Sequence, residues 1–246
     1  MNRKFVLAAA TAAAFAFTPV TASAVLYHYV DWDDANAAGG TASGFITLPD
    51  SSTVTVSFAA INADTSPGTL NFAQIDGTGI NYWNANAQAP FLSTEVDNAP
   101  PDSDIISLVG GDNQTYSVTL SEAIKDPIMA IVSLGNDSEA ITYDFDSPFE
   151  IVSQDEGHWG GSTTAFSELP GDILEGTEGH GTIQFIGTFT TFTWTVPTSE
   201  NWHGFTFGIR TTEAIEPSVV PEPAAIALFA LGIAGLGFAR VRRFPF

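Results

Sequence analysis

The 246-residue chain contains no cysteine and very little positive charge. The first absence excludes disulfides, zinc–thiolate sites and thiol nucleophiles. The second is sharper than the totals suggest. Of seven Lys and Arg, Arg3 and Lys4 stand at the start and Arg240, Arg242 and Arg243 at the end, which leaves Lys125 and Arg210 for everything between. All but one of the 28 acidic residues, Glu222 being the exception, fall between Val25 and Val219. Such a surface repels nucleic acid and anionic lipid, so DNA and RNA drop out as partners. Catalytic signatures are also missing: there is no G-x-S-x-G elbow, no glycine-rich phosphate loop and no HExxH pair. We therefore expect no catalytic residue and no required cofactor. No segment reads as a long amphipathic helix, and no repeat of 20–50 residues signals a solenoid or propeller.

What is present is most specific at the two ends. The chain opens "MNRKFVLAAATAAAFAFTPVTASA". Arg3 and Lys4 supply a positive start, Phe5 to Phe17 an uncharged apolar run, and Ala22-Ser23-Ala24 the small residues a signal peptidase accepts. This predicts a signal peptide over 1–24, cleaved after Ala24, and an exported body. At the other end Val220-Pro221-Glu222-Pro223 is followed by an uncharged stretch over 224–239 and then by Arg240, Arg242 and Arg243. As a helix the stretch reaches about 24 Å, a short span for a hydrocarbon core of about 30 Å. The arginines can snorkel, and by the positive-inside rule they hold the last residues in the cytoplasm.

These elements, in this order at the C-terminus, resemble the PEP-CTERM sorting tail of exported bacterial proteins. The resemblance implies that an exosortase recognises the Pro-Glu-Pro element in 220–246 and removes the helix. The chain would then be an inner-membrane-anchored precursor first and a cell-surface or extracellular protein afterwards. Residues 213–219, "EAIEPSV", read as an acidic linker to that tail.

The body, 25–212, alternates with period two. Val54, Val56 and Phe58 oppose Thr53, Thr55 and Ser57, and Tyr116, Val118 and Leu120 oppose Thr115, Ser117 and Thr119. "GTFTTFTWTVP" (187–197) and "HGFTFGIRT" (203–211) repeat the pattern, and further strands are expected over 25–32, 43–49, 140–145 and 149–153. "PIMAIVSL" (127–134) is apolar throughout, which marks a strand buried on both faces. "LSEAIKDP" (120–127) fits one helical turn stopped by Pro127. Short strands between Gly and Pro turns predict an all-β fold, an antiparallel β-sandwich of jelly-roll type. The stretch from Asp126 to Arg210, with "YDFDSPFEI", "HWGG" and "WHGFTFGIR", resembles the body of a group of tail-bearing proteins without an assigned reaction. That resemblance supports one domain running to the linker.

Three histidines stand beside glycine: His158 in "GHWGG", His180 in "EGHGT" and His203 in "NWHGF". Two readings stand. They converge as a metal or sugar site with Trp159 and Trp202 as stacking platforms, or they sit in aromatic-capped turns at the ends of the sandwich. Asp144 and Asp146, on one strand face about 6.5 Å apart, are candidates for calcium or for a glycosidase pair, with Glu150 the remaining carboxylate to consider. A plain polar face has the same pattern. The threonines at 188, 190, 191, 193 and 195 suit an exposed strand face or an ice-binding one. Asp31 to Gly40 is acid-rich but lacks the EF-hand spacing. The expected function is a non-catalytic exported domain associated with exopolysaccharide or the cell surface. The alternatives are a carbohydrate-binding module and a secreted glycoside hydrolase.

Overall fold

The computed structural model describes residues 25–111 and 114–210, which form two antiparallel sheets packed face to face. The signal segment 1–24, the linker 213–219, the sorting tail 220–246 and its apolar run 224–239 lie outside the described residues. Among the described residues no helix is long and apolar enough to cross a membrane.

Strands are numbered in chain order. The first sheet runs β10 (Phe149–Gln154), β13 (Gly179–Phe185), β8 (Ile128–Leu134), β15 (His203–Ile209), β6 (Ile105–Leu108) and β5 (Phe72–Gln74), with β1 (His28–Tyr29) added to β15. The second runs β11 (Phe166–Leu169), β12 (Ile173–Gly176), β9 (Ile141–Phe145), β14 (Thr188–Thr195), β7 (Gln114–Lys125), β4 (Thr53–Asn62), β3 (Thr41–Thr47) and β2 (Asp31–Asn36).

Period-two alternation sends one side of each second-sheet strand inward. Val54, Val56 and Phe58 of β4, and Tyr116, Val118 and Leu120 of β7, are buried as their spacing requires. They meet the first sheet in an aromatic core: Phe58 lies 5.5 Å from Phe205, Trp194 lies 5.3 Å from Phe205, and Phe192 lies 4.8 Å from Phe207, centroid to centroid.

The continuous apolar run of β8 has a different cause. Met129 and Ile131 face the second sheet, while Ile128, Ala130 and Val132 point outward and are buried too. Their cover is the connection between β5 and β6, which lays Trp83, Phe91, Val96 and Ala99 over the outer face together with Tyr27 and Tyr29. Within it, Tyr82–Phe91 forms short 3-10 turns interrupted at Asn86, Ala87 and Gln88, whose φ values of 47°, 52° and 70° are left-handed. Asn98 fastens the N-terminal segment to this cover: its Oδ1 accepts the Tyr27 N–H at 2.8 Å and its Nδ2 donates to the Tyr27 carbonyl at 2.9 Å.

Two sequence expectations are corrected. "LSEAIKDP" forms no helical turn: its Leu120 to Lys125 are the end of β7, where Ile124 pairs with Phe189 and Lys125 with Thr188, and Ile124 is buried. Pairing with β14 outweighs the local helix propensity of Glu, Ala and Lys. The single strand expected over 25–32 divides at Val30, with β1 joining the first sheet and β2 the second.

Candidate ligand site: an aromatic patch above a buried polar network

After β10 the chain makes a tight turn in which the Gly157 N–H donates to the Gly160 carbonyl at 2.6 Å, with His158 and Trp159 at the tip. The turn lies flat on β13. A Cβ at Gly157 would run into the His180 ring, and one at Gly161, where φ is 83°, into the Glu178 carbonyl. The glycines flanking "HW" are therefore needed for backbone to rest on another strand.

Flattening the turn brings four aromatic rings together. Trp159 stands 5.1 Å from Tyr82, 4.7 Å from Trp202 and 4.6 Å from His158, centroid to centroid. Tyr82 lies 5.0 Å from Trp202 and 5.1 Å from His158, and Phe72 of β5 extends the group at 6.1 Å from Trp202. The rings touch one another, so they form a platform and not a hollow. Tyr82 is buried beneath it, while Trp159 remains 48 % exposed. A tryptophan held in place by three neighbours yet open to water offers a flat, polarisable face at small entropic cost.

Beneath the turn lies a polar network in which His180 is buried and the Glu178 side chain keeps 14 % exposure. The Ser133 N–H donates to His180 Nδ1 at 3.3 Å, so the imidazole carries its proton on Nε2. That Nε2 is 3.2 Å from Glu178 Oε1, close enough for attraction but outside hydrogen-bond geometry. Glu178 Oε1 accepts the Ser133 hydroxyl at 2.6 Å. Ser133 takes a left-handed φ of 59° within β8 to present both donors. His180 is inaccessible, and its role is to support the turn.

His203 does not join the site. Successive strand residues point to opposite faces, so Trp202 goes to the outer patch and His203 into the sandwich. There His203 Nδ1 is 2.7 Å from Glu200 Oε1 and its ring is 5.3 Å from Tyr143. Burial, and after it the Glu200 carboxylate, push the Tyr143 hydroxyl well above its ordinary pKa. Of the five residues singled out, Trp159, Trp202 and His158 are thus brought together, His180 lies under them, and His203 is on the far side of the sheet. Among the described residues no group of three or more His, Asp or Glu is placed to hold a metal ion.

The carboxylates singled out for calcium or catalysis lie elsewhere. Asp144 and Asp146 do share the outer face of the second sheet. Asp146 is committed to structure: Oδ1 accepts the Thr193 N–H at 3.0 Å and the Ser147 hydroxyl at 2.8 Å, and Oδ2 accepts the Thr193 hydroxyl at 2.8 Å. Glu150 is on β10, in the other sheet. Sequence reasoning missed Tyr82 and Phe72, because neither stands near a tryptophan–glycine pair. It also missed Asp104, whose Oδ2 accepts the Trp32 N–H at 2.8 Å and whose Oδ1 accepts the Gly77 N–H at 2.7 Å. Burial is the main cause of an Asp104 pKa raised to about 6, with Asp102 and Asp31 adding to it.

Residues 219–243 match the PEP-CTERM protein-sorting motif. No curated protein and no solved structure matches the chain.

Proposed function

We propose that the chain, which carries a PEP-CTERM sorting motif, is an exported, exosortase-processed protein whose body is a non-catalytic surface or matrix domain that holds polysaccharide through the Trp159 patch. The observation that carries this reading is the convergence of Trp159, Trp202, Tyr82 and His158 on one exposed spot. Sugars present C–H-rich ring faces, and an open indole is the side chain best matched to them. The body supplies little for catalysis around that spot: Asp146 is tied up by Thr193 and Ser147, and Glu150 belongs to the other sheet. The reading extends to the fold. Strands β6, β15, β8 and β13 face β7, β14, β9 and β12, and consecutive members of the set change sheets except β9 and β12, which pair within the second sheet, an order that supports a jelly roll with β1–β5 and the edge strands β10 and β11 added.

After export the tail holds the precursor in the inner membrane, and exosortase cleavage frees the body to the cell surface or extracellular matrix. The test is a glycan array probed with the mature protein and with Trp159→Ala. Trp159 is half exposed, so the substitution leaves the fold intact. At least one polysaccharide class should retain the wild type, with retention falling ten-fold or more in the variant. Equal retention of both proteins rejects the patch as the site. Release of reducing sugar from any polymer would transfer the reading to a hydrolase.

A further inference from the structure

The aromatic patch stands in a one-signed electrostatic setting. Asp155 and Glu156 precede the turn, and Glu156 is exposed. The Glu178 Cγ would come within 3.9 Å of a Cβ at Gly160, beside Trp159. Between Val25 and Val219 the only cationic side chains besides histidine are Lys125 and Arg210. Both are engaged by Asp126, at 3.9 Å and 3.2 Å. Arg210 follows the far end of β15, so the length of that strand, roughly 23 Å, separates it from Trp202, well beyond a screening length of about 8 Å. Among the described residues no lysine or arginine is therefore in reach to receive a carboxylate or sulfate on a ligand.

Resting on the polysaccharide reading above, we propose that the patch selects glycans carrying free amino groups, with the ammonium of a 2-amino-2-deoxyhexose set against the indole faces and the Asp155, Glu156 and Glu178 carboxylates. An ammonium is drawn to the negative face of an indole and to carboxylates alike, whereas a uronate is repelled by the same surroundings. A neutral N-acetylated sugar stacks but gains nothing from the charge.

Isothermal titration of the mature protein with a glucosamine trimer, an N-acetylglucosamine trimer and a galacturonic acid trimer tests this. The expected result is binding of the glucosamine trimer at least ten-fold tighter than of its N-acetylated form, and none of the uronate. The preference should shrink several-fold between 20 mM and 300 mM salt, and Glu156→Gln should lower it several-fold without affecting the N-acetylated trimer. Equal or tighter binding of the N-acetylated trimer, abolished by Trp159→Ala, overturns the charge selection and leaves the patch as a sugar site. Glucosamine binding that Trp159→Ala leaves intact is bulk attraction to an acidic protein and overturns the proposal. Binding of no glycan, on the array or here, overturns the polysaccharide reading itself.

Discussion

Asp104 shows what a single residue contributes. Its carboxylate accepts two backbone N–H groups, those of Trp32 and Gly77, and so clasps the start of β2 to the cover over the first sheet. It is 1 % exposed, and its folded-state pKa of about 6 is above the ordinary 3.8. The folded state therefore binds the Asp104 proton more tightly than the unfolded one. This contribution to stability is fully present below about pH 4 and is lost as pH rises through about 6. The clasp is sealed by one layer of loop and not sunk in the core, so screening trims the full linkage value to about 2 kcal/mol. Urea unfolding of wild type and Asp104→Asn at pH 4.5 and pH 7 checks it: wild type should gain that amount relative to the variant at the lower pH. A pH-independent difference would show that Asp104 titrates normally.

At the scale of elements, the turn over β13 separates two costs that glycine avoids. Gly161 has a φ of 83° and no room for a Cβ, because the Glu178 carbonyl fills the space; Gly171, in the β11–β12 turn, has a φ of 91° and nothing within 4 Å of where a Cβ would sit. Gly171→Ala should cost about 1 kcal/mol, from backbone strain alone. Gly161→Ala should cost about 3 kcal/mol, because the turn must also lift, and tryptophan fluorescence should shift as Trp159 leaves Tyr82 and Trp202. Equal costs in urea unfolding would mean the turn does not rest on β13 as described. The same scale shows what the residue pattern revealed. Strands β4, β7, β14 and β15 were legible because alternation follows from the pleat alone. The end of β7 was not, since "SEAIK" forms a strand only because β14 runs beside it. Nor was the long cover between β5 and β6, whose Tyr82, Trp83 and Phe91 carry no period and gain their place only from the outward side chains of β8.

For the whole molecule the governing quantity is charge. The acidic residues around two cations repel one another across the surface, so the compact state is under electrostatic pressure that salt relieves. Raising NaCl from 10 mM to 300 mM should lift the thermal midpoint by a few degrees in calorimetry, while the same change weakens any cationic ligand. An unchanged or lower midpoint would indicate that local pairs, such as Arg210 with Asp126, dominate over net repulsion.

The sequence by itself carried the sorting motif of this protein and its class of fold. Val220-Pro221-Glu222-Pro223, the apolar run and the arginines form a linear motif defined by residue order alone, and alternation along a strand is likewise a property of consecutive residues. Only the tertiary structure decided the site. Trp159 and Trp202 are far apart in the chain, and His203 differs from Trp202 by a single step yet faces the opposite side of the sheet. Which side of the sheet a residue takes depends on register, and which rings meet depends on a glycine turn lying flat on a distant strand. Neither is encoded in spacing along the chain.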